Sequence, residues 1–332
     1  MNRISSHIAI IGAGQLGSRH LQGLSHIGLD IDISVIDPNP NSLKLAQKRY
    51  EDMPSNSHVL SVYYDQDITK MNREIDLAII ATNADVRLEV IENLLNNFNV
   101  NYFILEKVVF QSIQDFEYIM PILESCKIKT WVNCTRRLFP FFQKLRKETI
   151  LSDSVRICLK GSSWGLASNT IHMLDLLAFL SGQTEISLSI DYLDNEVYES
   201  KRQGFIEFGG GLHANSTRGD ELELLDKRDK EIFSEMSIEF NDKRFKVIEL
   251  DKLKLESKEN QISLEYSSNG KSYYVPLQSE LTGIQVERIL KDGKSQLTSL
   301  NESYLLHRSM LLAFNQHLEN ISGSFSNNCP IT

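Results

Sequence analysis

The sequence lacks a hydrophobic run long enough to cross a bilayer, which takes roughly 20 apolar residues. The apolar stretch near its start, Ile8–Ile11, is shorter than the hydrophobic region of a signal peptide and is not followed by a cleavage site. These absences predict a cytoplasmic protein that has no membrane partner.

Clustered cysteines and clustered basic residues are also missing. The four cysteines lie far apart without a Cys-x-x-Cys pair, which argues against a disulfide framework and against a zinc site. The net charge of −9 comes without a basic block, and the one locally basic stretch, Arg136–Lys147, is interrupted by leucine and phenylalanine. We therefore expect idle thiols, no metal and no nucleic-acid partner.

Short β-branched runs alternate with amphipathic stretches up to about residue 130. This alternation is typical of an α/β fold with a doubly wound parallel sheet. The predicted strands are His7–Ile11, Asp32–Ile36, His58–Tyr63, Ile75–Ala81, Tyr102–Leu105 and Thr130–Val132. The predicted helices are Leu16–Ile27, Ser42–Tyr50, Asp85–Asn96 and Ser112–Ser125.

The later part of the chain reads mainly as strands separated by Gly, Asn and Asp turns, which predicts an α+β domain with a large, mostly antiparallel sheet. The predicted strands are Val155–Leu159, Ile186–Tyr192, Gly204–Phe208, Leu212–Ser216, Ile232–Phe240, Phe245–Leu250, Ile262–Tyr266 and Ser272–Val275. Helices are predicted at Asn169–Leu180 and Leu300–Leu318, and the charged stretch Glu221–Glu231 is interpreted as a solvated loop or helix face. With 332 residues the chain exceeds one compact core, so we predict two domains, 1–130 and 131–332.

A glycine motif, Gly12-Ala-Gly14-Gln15-Leu16-Gly17, lies directly between the first predicted strand and the first predicted helix. In that context the first glycine permits a tight turn, the second admits a pyrophosphate close to the backbone, and the third lets the helix approach the sheet. A helix N-terminus then offers unpaired amides to the anion. The motif predicts a Rossmann dinucleotide site formed by these residues.

Asp37 stands at the end of the second predicted strand. A carboxylate at that position accepts hydrogen bonds from both ribose hydroxyls and repels a 2′-phosphate. The expected cofactor is therefore NAD rather than NADP.

Four further segments resemble the Gfo/Idh/MocA family, which comprises glucose-fructose oxidoreductase, inositol dehydrogenase and relatives. They are the continuation of the glycine loop to His20, the segment Ala81-Thr82-Asn83, the segment Leu105-Glu106-Lys107, and the run from Ile171 through His172 and Asp175 to Gly182. The chain departs from the family pattern at Val108, which replaces a proline, and at Ser168, where an aspartate is usual. An Asp/His dyad is therefore not carried over.

The resemblance implies that Lys107 and His172 are the catalytic acid–base candidates, and that Thr82, Asn83, Glu106 and Lys107 contact the cofactor. Oxidation of an alcohol needs a base within reach of the hydroxyl proton, and a lysine or a histidine can serve. Glu106 has a structural alternative, as the partner of a neighbouring basic group.

Substrate-binding candidates surround the predicted His172 helix. Asp175, one turn after His172, could fix its tautomer or bind a substrate hydroxyl, and Asn169 takes part beside it. One arginine of the pair Arg136 and Arg137 could hold an anionic group. Trp164 could wall a sugar pocket.

The function implied is an NAD-dependent dehydrogenase or reductase of CH–OH groups in a sugar, cyclitol or nucleotide-linked sugar, with surface-carbohydrate biosynthesis as one context. A reductase of a double bond or imine, or an enzyme whose NAD is recycled in place, is a second enzymatic interpretation. A non-catalytic nucleotide or sugar sensor that kept the fold is the alternative from another class. The resemblance also implies a homo-oligomer, a dimer or tetramer, formed through the sheet of the second domain.

Overall fold

A computed structural model of the chain describes residues 5–72, 74–228, 234–248, 262–265 and 272–332. The chain divides into two compact units. The first comprises Met1–Phe110, Asp115–Thr135 and Leu277–Leu300. The second comprises Gln111–Gln114, Arg136–Pro276 and Asn301–Thr332.

The strands and helices follow one another in the order that the following bounds give. The strands are β1 Ser6–Ile11, β2 Ile31–Ile36, β3 Val59–Asp65, β4 Glu74–Ile80, β5 Asn99–Leu105, β6 Lys129–Val132, β7 Arg156–Gly161, β8 Ile186–Glu199, β9 Ile206–Ser216, β10 Glu221–Asp226, β11 Glu235–Phe240, β12 Lys243–Ile248, β13 Ile262–Glu265, β14 Ser272–Val275 and β15 Thr298–Ser299. The helices are α1 Gln15–Leu24, α2 Pro40–Glu51, α3 Arg87–Asn97, α4 Ile113–Ser125, α5 Pro140–Thr149, α6 Leu166–Ser181, α7 Gln278–Asp292 and α8 Leu300–Ser322.

The first unit is built on a parallel sheet with the strand order β6-β5-β4-β1-β2-β3, which β15 extends as an antiparallel edge strand next to β6. This is the strand order of a Rossmann fold. Strand β1 is buried from His7 to Ile11, as expected where helices cover both faces of a parallel sheet. The predicted α/β fold class is therefore confirmed, and the carboxyl ends of the strands lie along one edge.

Helix α7 packs on α1 within the first unit. A Cβ atom on Gly283 would lie 2.5 Å from the carbonyl oxygen of Gly23, so the two backbones approach closely only because both positions lack a side chain. This helix was not predicted from the sequence. Because of this packing, Leu277–Leu300 belongs to the first unit, although the sequence boundary had assigned it to the second.

The second unit contains a six-stranded sheet in the order β12-β11-β7-β10-β9-β8. Strands β7 and β10 are parallel, and the other neighbouring pairs are antiparallel. Helix α6 packs against β9 and β10, and α5 packs against α6. The prediction of a mostly antiparallel second sheet is confirmed, and β13 and β14 form a separate antiparallel pair.

The interpretation of the charged stretch as a loop or helix face was wrong for its first six residues, which form β10. Leu222 and Leu224 are buried while Glu221 and Glu223 alternate with them, so the period of two decides the structure despite the charge. Residues 229–231 of that stretch lie outside the described residues, as do the ends of three predicted strands, 232–233, 249–250 and 266.

Two predicted strands, Gly204–Phe208 and Leu212–Ser216, are in fact one strand, β9. The glycines at 209–211 continue the strand instead of forming a turn, and a Cβ atom on Gly210 would lie 2.4 Å from the carbonyl oxygen of Tyr192 on β8. Helix α5 was not predicted, and α8 ends later than expected, at Ser322. None of the helices in the described part of the chain is long and apolar enough to cross a membrane.

Candidate functional site

The predicted cofactor residues of the first unit lie at the carboxyl edge of its parallel sheet. Gly12 follows β1, Asp37 follows β2, Thr82 lies just beyond β4, and Glu106 follows β5. Backbone hydrogen bonds extend the sheet into this edge, since Gly12 N donates to Ile36 O over 2.8 Å. This is the edge at which open α/β sheets bind ligands.

The glycine loop is sterically required at two of its positions. Gly12 has a φ of +94°, and a Cβ atom there would lie 2.9 Å from the backbone of Ala81. A Cβ atom on Gly17 would overlap the carbonyl oxygen of Gly12. The tight turn between β1 and α1 therefore requires glycine at both positions, whether or not a ligand is bound.

Gly14 differs from these two glycines, because a Cβ atom there would meet no protein atom within 4 Å. It is the N-cap of α1, whose first turn carries no acidic residue and opens with the predicted cofactor residues Gln15 and Leu16. Open space at a helix N-terminus that lacks a carboxylate suits a diphosphate, which needs close access to backbone amides. The residues present therefore fit a dinucleotide.

Asp37 is held by the backbone on both sides. Its Oδ2 accepts a hydrogen bond from Ala13 N over 2.7 Å, and its Oδ1 accepts one from Asn39 N over 2.8 Å. Each carboxylate oxygen can accept a further hydrogen bond. The half-buried side chain is thus oriented and still able to receive two ribose hydroxyls.

Thr82 and Asn83 follow β4 at the same edge. The Thr82 hydroxyl is buried and finds no hydrogen-bond partner among the described residues, whereas Asn83 is exposed. A buried hydroxyl without a partner is costly unless a ligand or water completes it. This observation is a second indication that the edge is shaped for a bound group.

Glu106 has a different role from the predicted cofactor contact. It is 4% exposed, and its Oε1 accepts hydrogen bonds from His20 Nε2 over 2.8 Å and from Asn133 Nδ2 over 2.6 Å. Both donors bind Oε1 of a buried side chain, which favours the structural interpretation of Glu106 over a contact with the cofactor.

Helix α7 completes this buried network. His20 Nδ1 lies 3.0 Å from Thr282 Oγ1, and Asn133 Nδ2 also donates to Gln278 Oε1 over 2.9 Å. Burial alone would raise the pKa of the Glu106 carboxyl, but the hydrogen bond and charge of His20 hold that pKa below its ordinary value. Thr282 and Gln278 were not among the predicted site residues, since no motif in the sequence marks them.

Lys107 follows directly and is half-buried at the end of β5. Its peptide bond to Val108 is cis. Arg87, at the start of α3 and 1% exposed, donates to the carbonyl oxygens of Val108, Val109 and Thr82. Arg87 was not predicted from the sequence, because no motif around it indicates a buried arginine.

In the second unit, His172 lies half-buried on α6. Asp175, one turn later, is fully buried, and Arg137 Nε donates to its two oxygens over 3.1 and 2.8 Å. Arg137 Nη2 also lies 2.8 Å from Glu302 Oε1. The expected substrate contact of Asp175 is corrected accordingly: its carboxylate is paired with Arg137 and has no surface exposed to a substrate.

The remaining substrate candidates lie before or at the start of α6, apart from Arg136, which is half-buried in the short 3₁₀ helix Thr135–Leu138. Trp164 Nε1 donates to the carbonyl oxygen of Leu225 over 3.1 Å, which fixes the indole ring. Asn169 Nδ2 donates to the carbonyl oxygens of Trp164 and Gly165 over 2.8 and 3.1 Å. These bonds fix the orientation of the Asn169 side chain at the start of α6.

The fold and this edge together define a Rossmann dinucleotide-binding domain joined to an α+β unit. Residues 6–134 match the model of the Gfo/Idh/MocA oxidoreductase family, described as an NAD-binding Rossmann fold. This match confirms the resemblance for the three segments up to Lys107, whereas the run from Ile171 to Gly182 lies outside the matched residues. The match covers the first unit up to residue 134 and not the rest of the chain, and no curated protein matches the chain.

Solved structures share the fold over nearly the whole chain. They include an oxidoreductase from Agrobacterium radiobacter in complex with NAD+, L-tartaric acid and magnesium, at 15% identity and a TM-score of 0.66, covering 95% of this chain and 97% of that one. A second is scyllo-inositol dehydrogenase from Lactobacillus casei with NAD(H) and scyllo-inositol, at 15% identity and a TM-score of 0.63, covering 95% of this chain and 97% of that one. A third is UDP-N-acetylglucosamine 3-dehydrogenase from Acidithiobacillus ferrooxidans, at 14% identity and a TM-score of 0.65, covering 94% of this chain and 97% of that one. At these identities the likeness shows the fold.

We predict that Glu106→Gln lowers the free energy of unfolding by roughly 1–3 kcal/mol at pH 7, because a buried acceptor of two hydrogen bonds is weakened. The pKa of folded Glu106 lies below that of the unfolded chain. Its stabilisation is therefore present above the unfolded value, about 4.3, and is lost as pH falls through the folded value. Urea unfolding between pH 3 and 7 measures the difference between the two proteins, which should shrink below about pH 4.

The exposed Glu124→Gln on α4 is the control and should leave unfolding unchanged at every pH. A constant difference between wild type and Glu106→Gln across the pH range would contradict the assignment of an ionised carboxylate.

Proposed function

We propose that the protein is an NAD-dependent dehydrogenase or reductase that acts on a CH–OH group of a sugar, cyclitol or nucleotide-linked sugar. The observation that carries the proposal is the open space at Gly14, the N-cap of α1, where a Cβ atom would meet no protein atom within 4 Å. At Gly12 and Gly17, by contrast, a Cβ atom would clash with the backbone. The preference for NAD rests on Asp37, whose carboxylate is held in place by Ala13 N and Asn39 N.

Bound nicotinamide supplies the hydride acceptor or donor. The chain must then hold the substrate and move one proton at the reacting oxygen. We assign this proton transfer to Lys107, which lies at the end of β5 beside the cofactor edge, and we retain His172 on α6 as a second candidate. Asn169, Arg136 and Trp164 remain the candidates for binding the substrate.

The proposed substrate class is supported by the ligands and activities named for two structural neighbours, a cyclitol in one and a nucleotide-linked sugar in the other. Both classes are polyols, which need several hydrogen-bond donors and acceptors around an apolar ring face. The half-buried indole of Trp164 and the amide of Asn169 suit such a ligand. A role in surface-carbohydrate biosynthesis and a cytoplasmic location stay predictions.

The expected homo-oligomer also stays a prediction. The exposed face of the second sheet carries rows of opposite charge, with Arg156 and Lys160 on β7 pairing with Glu221 and Glu223 on β10 over 3.3 to 3.7 Å. Such rows can complement a second copy of the chain. Sedimentation velocity checks this, and a monomer at every concentration contradicts it.

The cofactor preference is tested with Asp37→Asn. We expect wild type to bind NADH at least about tenfold more tightly than NADPH, because the carboxylate accepts ribose hydroxyls and repels a phosphate. In the variant this preference should shrink to within about threefold, since the repelling charge is gone. Fluorescence titration with each nucleotide measures both affinities.

The exposed Asp52→Asn, at the end of α2, is the matched control and should keep the wild-type preference. Wild type that binds both nucleotides equally would refute the role of Asp37.

The proton-transfer roles are tested with Lys107→Met and His172→Asn on a panel of sugars, cyclitols and nucleotide-linked sugars. For a residue that transfers the proton, kcat should fall by about 100-fold or more while NADH affinity stays within about threefold. Absorbance of the reduced nicotinamide measures turnover. The exposed Lys44→Met and His26→Asn are matched controls and should retain wild-type kcat.

Turnover that survives in Lys107→Met would remove its assignment as the acid–base group. Binding of NADH by wild type without turnover of any panel member would favour the alternative of a nucleotide or sugar sensor.

A further inference from the structure

We propose that Arg87 is a positioning residue, which holds the loop after β5 against the loop after β4 so that Lys107 keeps a fixed place at the cofactor edge. This inference rests on the proposed function, because it assigns Arg87 a role toward the proposed acid–base group. Arg87 does not itself touch the reacting atoms in this proposal.

The hydrogen bonds of Arg87 join the two loops directly. Its Nη1 donates to the carbonyl oxygen of Val108, and to that of Val109 over 2.8 Å. Its Nη2 donates to the carbonyl oxygen of Thr82. Val108 is the residue directly after Lys107, and Thr82 carries the buried hydroxyl at the cofactor edge.

Only an arginine supplies this pattern of donors from one side chain. The guanidinium is planar, keeps its charge, and presents five N–H groups in a fixed fork. A lysine has a single nitrogen, which cannot reach three carbonyl oxygens on two loops with the same geometry. Arg87 is only 1% exposed, so these bonds form away from competing water.

Lys107 is thereby anchored from both of its neighbours. On one side, Glu106 is held by His20 and Asn133. On the other side, the carbonyl oxygen of Val108 is held by Arg87. Proton transfer depends steeply on placement, and an error of about 1 Å can reduce the rate 100-fold.

The test compares Arg87→Lys with wild type and with Arg288→Lys, a matched change at an exposed arginine on α7. Three quantities are measured: NADH affinity, kcat and KM with a substrate from the panel, and the rate at which trinitrobenzenesulfonate labels Lys107, read by mass spectrometry. We expect kcat to fall at least about tenfold, with NADH affinity and KM within about threefold. The labelling rate of Lys107 should change by more than about twofold.

Chemical rescue separates positioning from general packing. In Arg87→Ala, added guanidinium ion, at a concentration far below that which unfolds proteins, should restore part of kcat because it refills the same donor site. The thermal midpoint of each variant is recorded alongside. If Arg87→Lys does not fold, Arg87→Gln, which keeps a planar group with two N–H donors, takes its place.

Several outcomes would overturn the positioning role of Arg87. A kcat in Arg87→Lys within about twofold of wild type overturns the proposal, and so does a parallel fall of kcat, NADH affinity and thermal midpoint without rescue. Failure of all three variants to fold makes Arg87 a folding requirement and also overturns it. If wild type turns over no panel member, the proposed function fails by itself, and an unchanged labelling rate of Lys107 in Arg87→Lys then overturns the inference independently.

Discussion

The buried carboxylate of Glu106 is the constraint around which the first unit is organised. A carboxylate that is 4% exposed must be compensated by donors, because an unpaired buried charge costs several kcal/mol. Here the donors come from α1, through His20, and from the residue after β6, Asn133. Helix α7 then supplies partners to both donors. One charge therefore fixes the mutual placement of two strand ends and two helices, and the residue that follows it in sequence is Lys107.

The sequence predicted the parallel sheet of this unit well, because strands buried on both faces leave short, continuous apolar runs. It did not predict α7. The spacing of Leu281, Val286 and Ile289 suits a helix, but what places that helix on α1 is the absence of side chains at Gly23 and Gly283, far apart in sequence. Strand β10 was misinterpreted for a related reason: its glutamates suggested a solvated segment, although the leucines between them pack inward.

In the candidate site, too, some residues could be predicted from the sequence, whereas their contacts could not. Gly12, Gly17 and Asp37 could be found from sequence because their roles depend on backbone geometry and strand ends, which a short motif encodes. The partner of a charged side chain is not encoded locally. Asp175 has a histidine one turn before it, yet Arg137 from a separate turn binds both of its oxygens. Motif reasoning therefore identifies which carboxylates matter more reliably than what they contact.

Two helices with a glycine N-cap, α1 and α6, show that a local motif does not reveal what occupies a helix N-terminus. Helix α1 begins after Gly14 with no acidic residue in its first turn, so its partial positive charge is available to an anion. Helix α6 begins after Gly165, but there Glu207 accepts a hydrogen bond from Ala167 N over 2.8 Å. Asp226 lies at the same turn, and burial raises the pKa of its carboxyl. The chain's own carboxylates thus bind an amide of the first turn of α6, whereas at α1 the carboxylate of Asp37 binds Ala13 N, which precedes the N-cap. The same local signal, a glycine before a helix, therefore offers an anion site in the first unit and a filled one in the second.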